Sequence, residues 1–510
     1  MTAEEEAASL ANFRRLFGVD RFEERHVPAL EEITLPAPRI RPPAPLAAIC
    51  STAPYDRALH SFGKSYPDTV RGLAGDYGSA PDIVAAPRNE AEIANLIDWA
   101  AHLPASLIPF GGGSSVVGGV EATLGQGAKG AVSLDLTRMN RLIEVDQTSR
   151  AARIEAGIFG PALEAALRPH GLTLRHFPQS FEHSTLGGWI ATRSGGHYAT
   201  LHTHIDDFVE NLRVLTPQGV LETRRLPASG AGPSPERLFI GSEGTLGVIT
   251  EAWMRLTPRP GFRAGRTLWF ADFLGAAAGL RTLVQSGITP ANCRILDPEE
   301  VRNTGSGDGS AALMVLGFEG WDRPLDDLLA RAIALVSEHG GRPETIQSGP
   351  GAAAKWRTAF IRMPYARERI VPRAIISDTF ETAVTWERFA ALHAAVTRAT
   401  LAAIREVTGR SGQITCRITH VYPDGPAPYF SFHALGRHDE LIPQWQAIKN
   451  AASDALIAAG GTITHHHAVG RDHRPWYDKE RPDLFAAALR AAKSALDPGL
   501  LFNPGVLVDP

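Results

Sequence analysis

The stretch Pro178-Gln-Ser-Phe-Glu-His-Ser-Thr-Leu-Gly-Gly-Trp-Ile-Ala-Thr192, continued by Arg193-Ser-Gly-Gly196, sets small residues, hydroxyls and glycines where a core-forming segment would carry branched hydrocarbon. Glycine has no Cβ to hold a neighbour off, so such a run lets the backbone come close to another body. Two more segments share this character: Pro109-Phe-Gly-Gly-Gly-Ser-Ser-Val-Val-Gly-Gly119 before it and Gly241-Ser-Glu-Gly-Thr-Leu-Gly-Val-Ile249 after it. One glycine-rich turn is an ordinary surface feature. Three within a single domain-sized stretch imply a shared partner, and consecutive glycines and hydroxyls can turn several N–H groups toward a phosphate. The first loop is not the dinucleotide fingerprint, because Val116 stands where the last small residue belongs and no clear helix follows.

At 510 residues the chain exceeds the size at which one core stops growing, so two or more domains are expected. Hydrophobic residues at 44% and charged ones at 21% describe a soluble globular protein. The formal net charge of −4 argues against nonspecific nucleic-acid binding, so an anionic substrate must be held by local arginines. Cys50, Cys293 and Cys416 are widely separated, lack metal-ligand spacing and cannot all pair, which fits a reduced, cytoplasmic setting. The start Met1-Thr-Ala-Glu-Glu-Glu6 lacks the layout of a signal peptide, and no run approaches a membrane span. The expectation is a soluble protein that at most touches a membrane from one side.

Residues 1–75 read as an irregular, proline-bearing arm. Ala58-Leu-His-Ser-Phe-Gly-Lys-Ser65 loosely fits a phosphate loop, but no strand precedes it and Tyr66-Pro67 follows in place of an evident helix. From Asp82 the pattern turns α/β. Asp82–Ala86 reads as a strand, Asn89 and Glu92 have capping-box spacing, and Ile93, Leu96, Ile97 and Ala100 mark one buried helix face. Ser106–Pro109 is a strand leading into the first loop; Val132–Leu136, Leu142–Asp146 and Ala152–Ala156 are further strands, and Phe159–His170 is a helix entered through Gly160-Pro161. Thr216-Pro-Gln-Gly219 closes a hairpin between Leu212–Leu215 and Val220–Thr223, and a strand over Leu246–Leu256 precedes a domain boundary at Thr257-Pro-Arg-Pro260. Beyond it come the strand Leu313–Phe318, the helices Leu325–His339 and Trp386–Thr408, and the strands Ile414–Tyr422 and Tyr429–His433. That alternation predicts an antiparallel sheet with helices on one face. Helices over Leu441–Ala459 and Asp483–Leu496 follow, with the segment Ile463–Gly470 between them.

The three loops together resemble the flavin-binding domain of the vanillyl-alcohol-oxidase, or PCMH, type of flavoprotein. The resemblance implies FAD, with Pro109, Gly111, Gly112, Gly113, Ser114 and Ser115 around the pyrophosphate. Pro178, Ser180, Ser184, Thr185, Gly187, Gly188, Ala191, Thr192 and Gly195 would run along the isoalloxazine, and Glu243, Gly244, Gly247 and Ile249 would close over the adenosine. No histidine or cysteine has an assignable link to the flavin, so FAD is expected to be noncovalent.

Thr464-His-His-His-Ala-Val-Gly470, Cys416-Arg-Ile-Thr-His-Val-Tyr-Pro-Asp-Gly425 and Tyr429-Phe-Ser-Phe432 resemble the alkyldihydroxyacetone-phosphate synthase family, the ether-lipid branch of these flavoproteins. His60–Tyr66, Phe177–Gly196, Arg294–Asp297, Tyr365–Glu368 and Phe380–Trp386 extend the resemblance to nearly the whole chain. It implies an α+β fold: a PCMH-type two-subdomain FAD-binding domain plus an α+β cap, of the FAD-linked oxidase C-terminal type, with an antiparallel sheet. The expected boundaries are an arm at 1–75, the FAD domain at 76–260, a substrate domain at 261–460 and a returning segment at 461–510. Tyr429 would be the catalytic tyrosine, His465, His466 and His467 the triplet beside the flavin, and Arg367 and Arg294 the arginines for a substrate phosphate. On a strand, three consecutive histidines could not all point one way. The implied reaction exchanges the acyl group of an acyl-dihydroxyacetone phosphate for a long-chain alcohol through a flavin N5 adduct, without net redox change. A homodimer and a peripheral membrane contact stay open. Gln179 departs from the acidic residue usual in the second loop, Pro426-Ala-Pro428 stiffens the approach to Tyr429, and Val508-Asp-Pro510 is not a peroxisomal address.

The rival within this architecture is an FAD-dependent 2-hydroxy-acid dehydrogenase. Its metal-binding His-x-x-Gly-Asp-Gly-Asn-x-His segment is replaced here by His420-Val-Tyr-Pro-Asp-Gly-Pro-Ala-Pro-Tyr429, and its Glu-His pair by His465-His466, so no metal is expected. A flavin-binding protein without turnover is the third reading. A tyrosine and a histidine triplet in the second domain speak against it.

Overall fold

The computed structural model describes residues 3–345, 351–353, 355, 356 and 367–509; Tyr365 and Ala366 of the resemblance lie outside them. The chain forms two units. One holds Ala29–Gly196, Thr203–Arg259 and His466–Pro510, the other Met1–Pro28, His197–His202 and Pro260–His465. The first carries all three glycine loops and is called the loop unit; the second is the sheet unit. No described helix is long and apolar enough to cross a membrane.

The loop unit has two main sheets, one for each expected subdomain. β1 (Cys50–Ser51), β2 (Ile83–Ala85), β3 (Ala105–Phe110) and β4 (Gly130–Asp135) pair in the order β1-β2-β4-β3, with β2 and β3 both parallel to β4. The helix Glu90–His102 connects β2 to β3 and buries Ile93, Leu96, Ile97 and Ala100, as their spacing predicts. Its capping box is half formed. Asn89 accepts the Glu92 N–H (3.0 Å), but the Glu92 carboxylate turns away to the backbone and guanidinium of Arg88. An adjacent cation outcompetes a neutral N–H for that carboxylate.

The second subdomain strings β5 (Leu142–Asp146), β6 (Ala151–Glu155), β7 (Leu172–Thr173), β8 (Val209–Thr216), β9 (Gly219–Glu222), β10 (Val248–Arg255) and β11 (Thr257–Pro258) along the chain. Five of these form a sheet in the order β5-β6-β10-β8-β9, while β7 pairs with β11. Thr216 pairs with Gly219, which is the predicted hairpin. The predicted helix to His170 is α-helical only over Gly160–Leu167, and a 3-10 turn containing Pro169 ends it. The tail helix spans Asp483–Leu496, and Leu501–Asn503 then lies beside β3 through Leu107 N–H to Leu501 O (2.7 Å) and Asn503 N–H to Leu107 O (2.9 Å).

The arm expected to be irregular contains three helices, Ala3–Phe17, Pro54–Leu59 and Tyr66–Leu73. Two of its prolines, Pro54 and Pro67, start helices rather than break them, since the first turn of a helix has no use for the missing N–H, while the run over residues 35–43 is irregular as expected. Pro67 sits in such a turn, capped by Ser65 and Asp68. A helix therefore does follow Lys64-Ser65, but a helix rather than a strand precedes the segment, so no phosphate loop forms. The first helix places Leu10, Phe13 and Phe17 against Ile370 and Ile375 of the sheet unit to which it belongs.

That unit is built on β12 (Phe262–Phe270), β13 (Asn292–Leu296), β14 (Ala312–Gly320), β15 (Arg342–Pro343), β16 (Ile375–Glu381), β17 (Gln413–Val421) and β18 (Pro426–Leu435). The order is β15-β12-β14-β13-β17-β18-β16, antiparallel throughout. Partners directly across a ladder share a face. Ile295, Ile376, Phe380, Ile418, Phe430 and Phe432 make a fully buried apolar face under the helices Phe273–Gln285, Trp386–Thr408 and Leu441–Ala458. The opposite face carries Leu296, Arg417, Tyr429 and Glu381 in one row across β13, β17, β18 and β16. A register shift after Ile418 inserts Thr419 as a bulge and returns His420, paired with Ala427, to that same face. The two prolines of Pro426-Ala-Pro428 lie in β18 beside this bulge, where a missing N–H is tolerated.

Candidate functional site

In the loop unit the first glycine segment leaves the carboxyl end of β3, the side on which open α/β sheets bind ligands. The glycines meet one another's loops before they meet any ligand. A Cβ on Gly111 would stand 2.3 Å from Thr185 Oγ1, and one on Gly112 would stand 1.8 Å from the His183 carbonyl oxygen. Gly187 is equally pressed, 2.8 Å from the Ala156 Cβ. The close approach expected toward a flavin is thus required first by the second loop seating on the first. The third loop completes the set. Gly241, Glu243, Gly244 and Gly247 all have positive φ, and the N–H groups of Gly241 and Glu243 bond to the carbonyls of Ile190 and Ala191 (3.0 and 2.9 Å). Ile249 is the second residue of β10, into which the loop runs, and Gly244 packs on Pro109.

Several predicted contact groups have their hydroxyls spent inside the protein. Ser184 donates to Ser180 O (2.8 Å) and accepts Trp189 Nε1–H (2.7 Å), while Thr192 donates to Gly188 O (2.8 Å). Thr185 caps the short helix Leu186–Ala191. Gly195 makes an isolated bridge with His204. Backbone donors remain: among the described residues, the N–H groups of Gly112, Gly113, Ser114 and Ser115 have no protein acceptor. Four successive donors at a glycine loop are what a pyrophosphate needs, so the residues present fit a dinucleotide.

The Glu243 side chain is held inside the protein. Its carboxylate accepts the N–H groups of Val469 and Gly470 (2.9 and 2.8 Å), and its carbonyl accepts Asn503 Nδ2–H (2.7 Å). Burial pushes its pKa up to about 7 against those two N–H bonds. It therefore anchors the backbone that follows the histidine triplet. His466 and His467 lie in this unit with their rings 4.7 Å apart. The triplet is not on a strand; Ala468 and Gly470, both at positive φ, hold it in an irregular turn.

In the sheet unit, Tyr429 is 5% exposed and donates from its hydroxyl to Thr379 Oγ1 (3.0 Å). The Arg417 guanidinium lies 4.0 Å from its ring centroid. Burial raises the Tyr429 pKa; Arg417 and the Thr379 hydroxyl pull it down, while Glu381 and Asp378 push it further up. Arg417 is clamped by Glu300 (2.6 Å) from the helix Pro298–Asn303, and Glu300 also accepts the Thr415 hydroxyl (2.7 Å).

Arg294, two residues from Leu296 and so on the same face, is fully buried. It donates to Asn292 Oδ1 (3.1 Å) and to His197 Nδ1 (2.7 Å) and lies over the Trp356 ring at 4.8 Å. Burial first, and Arg417 second, lower its pKa to about 9. His465 joins this face through its backbone N–H to Glu381 Oε2 (2.6 Å), a bond between its Nε2 and the Tyr422 hydroxyl (2.8 Å), and ring contact with His420 at 5.0 Å. The structure therefore brings Tyr429, Arg294 and His465 onto one face.

Arg367 is not on it. Its guanidinium pairs with Asp378 (2.9 Å), which projects from the helix-covered face and also accepts Trp445 Nε1–H (2.8 Å). Burial works against ionised Asp378, but Lys449 and Arg367 outweigh it and hold the carboxyl below its ordinary value. Sequence reasoning assigned no role to Arg417, Glu300, Glu381 or His197. Arg417 and Glu381 lay inside quoted motifs, but only strand register shows that they flank Tyr429.

Comparison with known proteins follows the same division. The family described as "FAD binding domain" matches residues 81–224, and that described as "FAD linked oxidases, C-terminal domain" matches residues 262–507. The alkyldihydroxyacetonephosphate synthase of Dictyostelium discoideum is 30% identical over 478 residues, covering 89% of this chain and 77% of the relative. A solved structure of an alkyldihydroxyacetonephosphate synthase superposes with a TM-score of 0.83 at 28% identity, covering 98% of this chain and 92% of that one. p-Cresol methylhydroxylase, at 14% identity and a TM-score of 0.69 over 99% of this chain and 97% of its own, shares the fold alone.

Proposed function

The chain belongs to the alkyldihydroxyacetonephosphate synthase family, and from that membership we propose that it exchanges the acyl group of an acyl-dihydroxyacetone phosphate for a long-chain alcohol, giving an ether-lipid precursor. Its cofactor is FAD. Gly112 to Ser115 would hold the pyrophosphate through their N–H groups, the second loop would border the isoalloxazine and the third the adenosine. FAD, when bound, supplies an electron-accepting ring system for substitution at C1 of the substrate without net redox change.

The observation that carries the reading is the row Arg417, Tyr429, Glu381, a phenol held between a cation and a carboxylate on a buried face. In the exchange the acyl carboxylate leaves with the C1–O bonding pair, the alcohol oxygen supplies the new pair, and two protons must be managed, one at C1 and one on the alcohol. Tyr429 Oη is suited to the C1 proton. His465, whose Nε2 already exchanges a hydrogen bond with Tyr422, is suited to the alcohol proton. Arg294 presents a fixed guanidinium for the substrate phosphate.

The test mixes purified yellow protein with palmitoyl-dihydroxyacetone phosphate and isotope-labelled hexadecanol. Labelled alkyl-dihydroxyacetone phosphate, found by mass spectrometry with the flavin oxidised at the end, is the expected outcome. Tyr429→Phe should abolish it and leave the flavin absorbance unchanged. Flavin bleaching by a 2-hydroxy acid, with no ether product, would give the protein to the dehydrogenase reading instead.

A further inference from the structure

Tyr429 is buried in the sheet unit with two carboxylates close by. Glu381 stands directly across the ladder on β16, and Asp378 lies three residues before it on the same strand. Both disfavour a phenolate, and so does burial. A phenol so placed keeps its proton unless something offsets them. The groups that face it from the packed elements are Glu381 and Thr379 on β16 and Arg417 on β17, with Glu300 behind Arg417 on the helix Pro298–Asn303; Asp378 acts from the helix-covered side, where it is paired with Arg367 and Lys449.

Arg417 is the one cation in that set. It is 1% exposed, sits directly across the ladder from Tyr429, and lies over the ring rather than hydrogen-bonding the hydroxyl. Its Nη1 is fixed by Glu300, which is itself fixed by Thr415, so the guanidinium plane has a second anchor independent of Tyr429. We propose that Arg417, clamped over the ring by Glu300, is the positioning residue that lets Tyr429 give up its proton on the buried face of the sheet. This rests on the reading of Tyr429 as the proton-handling group. It adds that Arg417 sets the basicity of Tyr429 from the ring face, ahead of the Thr379 hydroxyl, which also orients the phenol. The step is a proton transfer from Tyr429 Oη to solvent or base, with the phenolate charge balanced by the guanidinium.

The test reads the titration of Tyr429 without turnover. 3-Fluorotyrosine is incorporated at the eight tyrosines, and the Tyr429 resonance is assigned by its loss in Tyr429→Phe. The 19F shift is then followed against pH in the holoenzyme. In Arg417→Met/Glu300→Gln, which removes cation and counter-charge together, the Tyr429 midpoint should rise by at least about one pKa unit. Arg417→Lys should recover part of that rise, because an ammonium retains the charge but not the stacking. Glu300→Gln alone keeps the cation and should move the midpoint down. A midpoint unchanged in the double variant, or raised in Glu300→Gln, overturns the proposal. Since no product is measured, a protein that shows these shifts but makes no ether would refute the synthase reading and leave Arg417's role standing.

Discussion

Replacing Gly112 with alanine would place a methyl carbon 1.8 Å from the His183 carbonyl oxygen, more than an ångström inside the closest approach that real Cβ atoms make. That oxygen is backbone, so no side chain can swing aside; either the first loop or the second must move bodily. The protein N–H donors of Gly112 to Ser115 would move with it, and a phosphate hydrogen bond does not survive a displacement of that size. Overpacking of this kind costs about 1–3 kcal/mol. Taken from cofactor affinity, that weakens FAD binding about 5- to 150-fold. The assay titrates apo-protein with FAD and follows quenching of flavin fluorescence. Gly230→Ala is the control, because no heavy atom lies within 4 Å of its added Cβ. If Gly112→Ala binds FAD within twofold of the parent chain while Gly230→Ala does the same, the loops do not interlock as described.

Other outcomes follow from the same contacts. Lys493 Nζ is buried between Asp497 Oδ2 (2.6 Å), Thr245 O (2.6 Å) and Phe502 O (2.9 Å), so Lys493→Met strands a buried carboxylate and should cost about 3–5 kcal/mol in urea unfolding. Lys493→Met/Asp497→Asn should recover part of that loss. Glu243, with its pKa raised to about 7 by burial, binds its proton more tightly in the folded chain than in the unfolded one. Its contribution is therefore full below the ordinary carboxyl value and is lost as pH rises through about 7, by roughly 3 kcal/mol. Glu243→Gln should flatten stability across that window; an unchanged slope would assign the dependence elsewhere. Flavin is expected to leave on denaturation, so a precipitated protein that stays yellow would show a covalent link.

Local signals were enough wherever a residue's fate depends on near neighbours in sequence. The helix Glu90–His102 follows from four apolar residues at helical spacing, the hairpin from Thr216-Pro-Gln-Gly219, and the helix Trp386–Thr408 appears with the predicted bounds. The three glycine loops stand out locally in the same way, while the tyrosine and histidine motifs are singled out by a family resemblance; the α+β class and the antiparallel sheet follow from the alternation of elements. Pro67 misled at the end of the arm, because it falls in a first helical turn, where it helps.

Tertiary structure alone decided which groups meet. Gly112 needs to be glycine because of a carbonyl at His183, far along the chain. Arg417 flanks Tyr429 because β17 and β18 pair in one register, and the bulge at Thr419 turns His420 to the face that the regular alternation would have denied it. Arg367 and Arg294, alike as isolated arginines in the sequence, part company because one meets Asp378 beside the helix-covered face and the other meets His197 on the polar one. Strand register is set by burial summed over a whole sheet, so shifting one strand by a single residue exchanges its two faces, and no local stretch of sequence records that choice.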